Sequence, residues 1–93
     1  MKAAKFFNIT VIFYKEGDNF IAHAPSIDLC TAGKSFDDAK SAFDEAFKLF
    51  INELEHDGNL EKVLSECGWK KLGTTKRWIE PRHIATVNEE IAV

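Results

Sequence analysis

Apolar and polar residues alternate along the first third of the chain. An extended segment from Phe6 to Tyr14 places four apolar side chains on one face, and this period of two predicts a strand. The four are Phe7, Ile9, Val11 and Phe13. After a turn rich in polar residues, Phe20 to Ala24 is predicted as a second strand, which Pro25 ends because it has no backbone N–H. A third strand is predicted at Leu29 to Ala32.

The pattern then changes to a helical period. Ser35 followed by Asp38 has the form of an N-terminal cap, and apolar residues recur after it at intervals of three and four. We therefore expect a helix from Phe36 to His56, ended by Gly58 in the left-handed conformation. Because its apolar stripe matches the apolar strand face, the helix should pack on the sheet. The stripe consists of Phe36, Ala39, Phe43, Ala46, Phe47, Phe50 and Leu54.

Shorter elements are predicted after the long helix. Asn59 is expected to cap a second helix whose apolar stripe ends at Cys67. Two short strands, residues 69–72 and 76–80, and an extended piece at 84–87 follow. The predicted fold class is α+β: a three-stranded antiparallel meander with a long helix packed on it, a short second helix and a small C-terminal β tail. We expect a single domain over residues 1–93, with its core at about 6–57 and the C-terminal helix and β tail at about 59–93.

Composition narrows the class of protein. Of the 93 residues, 45% are apolar and 29% are charged, which favours a globular fold over disorder. No apolar run approaches the roughly 20 residues that cross a bilayer, and the first residues lack the apolar stretch of a signal peptide. The two cysteines are too few for a disulfide scaffold. We therefore expect a cytoplasmic protein.

The residues that could perform chemistry do not form a recognisable set. The spacings of histidine and cysteine match no metal-binding motif. Cys30 lies on a strand next to the one with His23, but no motif flanks it, and Cys67 is expected to be a small hydrophobic residue. The first strand contains no carboxylate, although two-metal nucleases with a meander and helix of this kind need one there. We predict no enzyme activity, no catalytic residues, no metal and no cofactor.

Charge is concentrated in the long helix. The net charge is −3, and residues 34–60 carry seven acids against three bases. This acidic band favours a basic protein partner, and Leu49 is a candidate apolar anchor because it lies off the core stripe. The alternative is that the acids only keep the helix soluble. The predicted partner-binding residues are Asp37, Asp38, Asp44, Glu45, Leu49 and Glu53.

A basic and aromatic segment near the C-terminus supports a second function. Residues 69–82 contain five bases and one acid, together with two tryptophans. Charge next to aromatic rings is typical of nucleic-acid grooves. The alternative is that the tryptophans anchor the tail on the core while the bases face water. The candidate contacts are Trp69, Lys70, Lys71, Lys76, Arg77 and Trp78.

Three segments in order resemble a known family. Residues 11–22 give a strand, an acidic turn and a strand, and residues 25–33 give a proline bend, a cysteine and a closing glycine. Residues 35–39 then begin a helix with an acid–alanine pair, and the helical spacing continues with Ala42, Ala46 and Leu49. In this order and spacing, about half of the chain resembles the HicB antitoxin family.

The resemblance implies both a fold and a partner. The fold implied is a β-β-β-α core like a degenerate ribonuclease H fold without nuclease activity. The partner implied is a small basic RNA-cleaving toxin of the HicA type, which the protein would bind and mask. Family members often add a C-terminal DNA-binding module, and the sequence departs from that pattern because no helix pair of the needed length follows Gly68. A solitary family member without a toxin remains an alternative.

Self-association is also predicted. The second face of the first hairpin is mixed, with Ile12, Tyr14 and Ile21 among its residues. A small sheet with open edges and apolar side chains on its outer face has surface to cover. We therefore expect a homo-oligomer, most simply a dimer.

Overall fold

The computed structural model describes residues 5–73 and 77–93. One antiparallel sheet consists of the strands β2 (Ile12–Glu16), β3 (Asn19–Ala24) and β4 (Leu29–Gly33). A second sheet consists, in this order, of β1 (Phe6–Asn8), β6 (Arg77–Ile79) and β5 (Lys70–Lys71). The chain is therefore α+β, with the meander, the long helix, the short second helix and the small C-terminal β structure that the sequence predicts. The elements are β1 (Phe6–Asn8), β2 (Ile12–Glu16), β3 (Asn19–Ala24), β4 (Leu29–Gly33), α1 (Phe36–His56), α2 (Leu60–Glu66), β5 (Lys70–Lys71) and β6 (Arg77–Ile79).

The meander packs against the first half of α1 through its smallest residues. Ala22 and Ala24 on β3 and Ala39 on α1 have no exposed surface, so the backbones approach closely. The Thr31 hydroxyl donates to the Ala39 carbonyl oxygen at 3.1 Å. A Cβ on Gly33 would lie 2.5 Å from the Ala39 nitrogen. These contacts fix the height of α1 above the sheet and its rotation about its own axis.

The predicted ends of α1 are confirmed. Ser35 is extended (φ −143°), and its Oγ accepts a hydrogen bond from the Asp38 N–H at 3.1 Å. Asp37 and Asp38 lie in the first turn, where the positive end of the helix dipole favours acids. At the other end Gly58 has φ +71°, which an L side chain rarely adopts. Local capping chemistry therefore determines both ends of this helix.

The prediction of one strand from Phe6 to Tyr14 is wrong. The segment forms two strands in different sheets: β1 pairs in parallel with β6, while β2 pairs with β3. Residues 9–11 between them belong to no strand, and the Thr10 N–H donates to the Glu80 carboxylate. The alternation of apolar residues continues through the break, because Ile9 and Val11 still face the core. A period of two therefore reports the buried face but not where a strand changes its partner.

Two buried clusters lie along α1, one at each end. The first holds Ala22, Ala24, Ala39 and Phe43, and the second holds Ile51, Leu60, Leu64, Trp69 and Trp78. The predicted packing of the helix stripe on the apolar face of the first segment is confirmed, because residues of both belong to these clusters or pack against them. They are Phe43, Phe47, Phe50 and Leu54 of the helix and Phe7, Ile9, Val11 and Phe13 of the segment. Phe36 is the exception. It is the first residue of the helix and is 47% exposed, and the centre of its ring lies 4.5 Å from the centre of the Phe13 ring.

Three predictions after α1 need correction. The Asn59 side chain makes no capping hydrogen bond to α2. Cys67 is exposed rather than part of an apolar stripe, because α2 ends at Glu66 and the chain turns away. Residues 84–87 belong to no strand. The two short strands of the tail do form, as β5 and β6, although Lys76 lies outside the described residues.

Candidate protein-binding surface

The exposed side of α1 is the main charged surface of the chain. The helix has 21 residues, so it is about 31 Å long at 1.5 Å per residue. Its buried side rests on the two clusters, which leaves the opposite side to solvent. All six predicted partner-binding residues lie on that exposed side. The rotation of about 100° per residue places them along two different edges.

One edge carries acids that no described residue neutralises. Asp38, Glu45 and Glu53 share it with Leu49, at intervals of seven, four and four residues, so these side chains follow one another along the helix. Leu49 is 65% exposed. Within residues 5–73 and 77–93, none of the three carboxylates forms an ion pair. We call these four residues the acidic row. It extends over about 22 Å.

The other edge carries both signs of charge. The Lys40 Nζ lies 3.1 Å from Oδ2 of Asp44, and the Lys5 Nζ lies 2.6 Å from Oε2 of Glu55. Lys48 is four residues beyond Asp44 on the same side. The local charges therefore nearly cancel. We call this the mixed edge, and its helical members are Asp37, Lys40, Asp44, Lys48 and Glu55.

The acidic row has the properties of a surface for a basic protein. Unpaired carboxylates in a line produce a negative potential that attracts and orients a positive partner. Leu49, in the middle of the line, adds an apolar side chain that loses water when it is covered. The mixed edge lacks both features. The structure therefore separates the six predicted residues, with Asp38, Glu45, Leu49 and Glu53 together and Asp37 and Asp44 apart.

An apolar groove runs beside the mixed edge, between α1 and the segment 7–13. One stretch has a volume of about 340 Å³, and its rim includes Lys40 and Asp44. A second stretch of about 510 Å³ adjoins it and includes Lys5 and Glu55. Both stretches share Phe7 and Phe47 in their lining. The groove is thus an apolar channel with charged borders.

The basic segment does not present its aromatic rings. Trp69 is 3% exposed and Trp78 is 4% exposed, so neither ring has a free face on which a base could stack. The Arg77 guanidinium lies 4.9 Å from the centre of the Phe6 ring. The Lys71 Nζ lies 3.5 Å from Oε1 of Glu61. Lys70 is exposed, and Lys76 lies outside the described residues. The tryptophans thus anchor the small sheet on the core.

A thiol, an imidazole and a carboxylate lie near one another on the meander. His23 is directly opposite Cys30 in the β3–β4 register, and its Nε2 lies 3.2 Å from Oδ1 of Asp28. The carboxylate is almost fully exposed and the thiol is exposed, so no enclosed site surrounds them. Within the described residues, no group of three or more His, Cys, Asp or Glu side chains is arranged so that it could hold a metal ion.

Three features of this surface are absent from the sequence-based predictions. The pairing of Lys40 with Asp44 was visible as an i, i+4 spacing of opposite charges, which indicates mutual neutralisation on a helix. The pairing of Lys5 with Glu55 had no local signal, because 50 residues separate the two in sequence. The groove was also not predictable, since it forms only when β1 and β2 diverge beside α1.

Among residues 5–73 and 77–93, no helix combines the length and apolar character needed to cross a membrane.

Comparisons with known proteins identify no relative of this chain. No protein-family model, no curated protein and no solved structure matches the chain.

Proposed function

We propose that this chain is a HicB-like antitoxin-type protein that binds a small basic ribonuclease toxin of the HicA type and holds it inactive in the cytoplasm. The observation that carries the proposal is the acidic row on α1. Its three carboxylates are exposed and unpaired among the described residues, while the acids on the mixed edge are balanced by lysines. The resemblance of residues 11–54 to the HicB family supplies the kind of partner.

The mechanism is masking rather than chemistry. An RNA-cleaving toxin contacts phosphates, so the surface that it uses for RNA is positive. A row of carboxylates about 22 Å long would lie along that surface and compete with RNA for it. Leu49 would supply apolar contact at the centre, where affinity in protein interfaces is concentrated. The chain would need no catalytic residue of its own.

The alternative of a nucleic-acid-binding domain has less support. It needs exposed aromatic rings among the bases, and Trp69 and Trp78 are in the core instead. Two of the five bases of that segment also have contacts in their own chain, because Lys71 lies beside Glu61 and Arg77 lies over the Phe6 ring. A net charge of −3 also opposes binding to a polyanion. We therefore treat nucleic-acid binding as an outcome that the experiment below must be able to reveal.

The test is growth rescue in cells that express a small basic ribonuclease toxin of the HicA type. We expect the unaltered chain to restore growth. The double variant Glu45→Lys/Glu53→Lys should fail, because it reverses the acidic row. The matched control Asp37→Lys/Asp44→Lys makes the same change in net charge on the mixed edge, and it should still rescue.

Two outcomes would contradict the proposal. Rescue by Glu45→Lys/Glu53→Lys as complete as that by the unaltered chain would remove the acidic row from the mechanism. Failure of the unaltered chain to rescue, together with tight and salt-sensitive binding to RNA, would favour the nucleic-acid function instead. Circular dichroism of both double variants checks that the helix is intact in each.

A further inference from the structure

The outer face of the meander is the side of the sheet that points away from α1. Ala22 and Ala24 of β3 have no exposed surface and pack towards the helix. Successive residues of a strand point to opposite faces, so His23 between them points outwards. On β4, the Thr31 hydroxyl donates to the backbone of α1, and its neighbour Cys30 therefore points outwards as well. An imidazole and a thiol thus share the outer face.

These two side chains are neighbours across the strands. His23 is directly opposite Cys30 in the β3–β4 register. The Cβ atoms of such a pair are about 4.5–5.5 Å apart, so a ring nitrogen and a thiolate can reach one metal ion. The thiol is exposed and free. Histidine and cysteine are the usual ligands of structural zinc. The sequence shows no zinc motif because the hairpin, and not a short spacing, brings the two together.

Asp28 holds the imidazole in the form that binds a metal. Its Oδ1 lies 3.2 Å from Nε2 of His23. A carboxylate accepts a hydrogen bond from a ring N–H, so the proton is on Nε2 and Nδ1 keeps its lone pair. Metal-binding histidines are commonly oriented by a carboxylate in this way. Asp28 is therefore a positioning residue for His23 and not itself a ligand.

One chain supplies half of a zinc site. Structural zinc has four ligands in a tetrahedron, and two cysteines with two histidines are a common set. In the part of the chain that the structure describes, no three such side chains are arranged to hold a metal ion. His23 and Cys30 are thus two ligands of an incomplete set. A twofold axis repeats the same pair, so a second copy completes the set without any further residue.

The surroundings of the pair suit a second sheet. Ile12 lies opposite His23 on β2, and Tyr14 and Ile21 form the next row of the same face. Ile12 is 39% exposed and Tyr14 is 46% exposed, so apolar surface is available beside the pair. Two sheets pack face to face at about 10 Å, which leaves about 5 Å from each sheet to an ion midway between them. A cysteine or histidine side chain with a bond of about 2.0–2.3 Å to zinc covers that distance.

We propose that His23 and Cys30 from two copies of this chain bind one Zn²⁺ between their outer meander faces. The ion takes Nδ1 of each imidazole and Sγ of each thiolate, and each thiol releases its proton to solvent. The twofold axis passes through the ion, and the apolar side chains around it are covered at the same time. The sheet separates this face from α1, so the acidic row stays exposed and the zinc site does not depend on toxin binding.

The test is the mass of the full chain by light scattering, with a phosphine reductant present to prevent disulfides. With one Zn²⁺ per two chains we expect twice the chain mass of 10.5 kDa, and calorimetric titration should give the same stoichiometry. A chelator should raise the dimer dissociation constant about tenfold or more. Cys30→Ser should lose both zinc binding and the zinc-dependent dimer. The matched control Cys67→Ser removes the other exposed thiol and should keep both.

A further variant tests the positioning role of Asp28. Asp28→Asn removes the charge, and asparagine tolerates the positive φ of 53° at this position. We expect the affinity for Zn²⁺ to fall about tenfold or more, because the imidazole loses its carboxylate partner. The stoichiometry should remain one ion per two chains, since both ligands are still present. An unchanged affinity would remove Asp28 from the site.

Four outcomes would overturn the zinc-bridged dimer. The first is no binding of Zn²⁺ by the unaltered chain. The second is one ion per chain without a change in mass, which would make the pair an adventitious site of the monomer. The third is an equal loss of binding in Cys30→Ser and Cys67→Ser. The fourth is a dimer that survives both the chelator and Cys30→Ser, because another contact would then hold the copies together.

Discussion

The two exposed edges of α1 carry similar numbers of acids but have opposite character. Along the acidic row, Asp38, Glu45 and Glu53 extend into solvent without a counter-charge among the described residues. Along the mixed edge, Lys40 lies against Asp44 and Lys5 lies against Glu55. A count of acids along the sequence treats the two edges as one band. The structure shows that Asp44 and Glu55 on the mixed edge are paired with lysines, whereas no acid of the acidic row is paired among the described residues.

The difference also concerns what lies beside each edge. The mixed edge borders an apolar groove between α1 and the segment 7–13. The acidic row has an exposed leucine, Leu49, at its centre. One helix thus offers two surfaces, one with acids that are unpaired among the described residues and one with paired charges beside an apolar groove. Predictions about either surface depend on how α1 is rotated on the sheet.

The largest expected effect tests that rotation. Phe43 is 3% exposed and packs in the first cluster, so Phe43→Ala should lower the free energy of unfolding by about 3–5 kcal/mol. Leu49→Ala removes an apolar side chain from the same helix at a position that is 65% exposed. It should cost less than about 1 kcal/mol. Urea titration measures both. Similar losses for the two variants would mean that α1 is rotated differently and that the two edges are misassigned.

This rotation could be predicted from the sequence. The stripe of apolar residues identified the buried side of α1, and Ser35 and Gly58 identified its ends, because helix period and capping are local properties. The break between β1 and β2 could not be predicted. It depends on the parallel pairing of Phe7 with Trp78, which are 71 residues apart. Nothing local distinguishes a strand that changes sheets from one that continues.

A second, smaller effect tests how closely α1 lies on the meander. A Cβ on Gly33 would be 2.5 Å from the Ala39 nitrogen and 2.8 Å from the Asp38 carbonyl carbon. Gly33→Ala must therefore move the start of the helix and should cost about 1–3 kcal/mol. The neighbouring Lys34 is exposed, so Lys34→Ala serves as the control and should change stability by less than about 0.5 kcal/mol. A Gly33→Ala protein as stable as the unaltered one would contradict the close approach.

The smallest expected effect concerns the ion pair on the mixed edge. Lys40 and Asp44 are both more than half exposed and four residues apart, so Lys40→Ala should cost only about 0.3–0.5 kcal/mol. The loss should shrink further in high salt. Thermal unfolding at two salt concentrations checks this. A loss above about 1 kcal/mol would show that the pair does more than balance charge.

The candidate surface was only partly predictable, for a physical reason. The acids and Leu49 were found because they face away from the apolar stripe of α1. Their separation into two edges depends partly on Lys5, which reaches Glu55 only in the folded chain. The same holds for Trp69 and Trp78, whose burial depends on the contact of the small sheet with Ile51, Leu60 and Leu64. Sequence pattern predicts which side of an element is exposed but not which distant residue will meet it.

The proposed contact between the acidic row and a basic toxin is tested most directly by calorimetric titration with a purified toxin of the HicA type. Relative to the unaltered chain, Glu45→Lys/Glu53→Lys should raise Kd about tenfold or more. Asp37→Lys/Asp44→Lys makes the same change in net charge on the mixed edge and should raise Kd less than about threefold. An equal rise in Kd for both variants would contradict the proposal, because affinity would then depend on total charge. An unchanged Kd for both would also contradict it, because the toxin would then bind another surface.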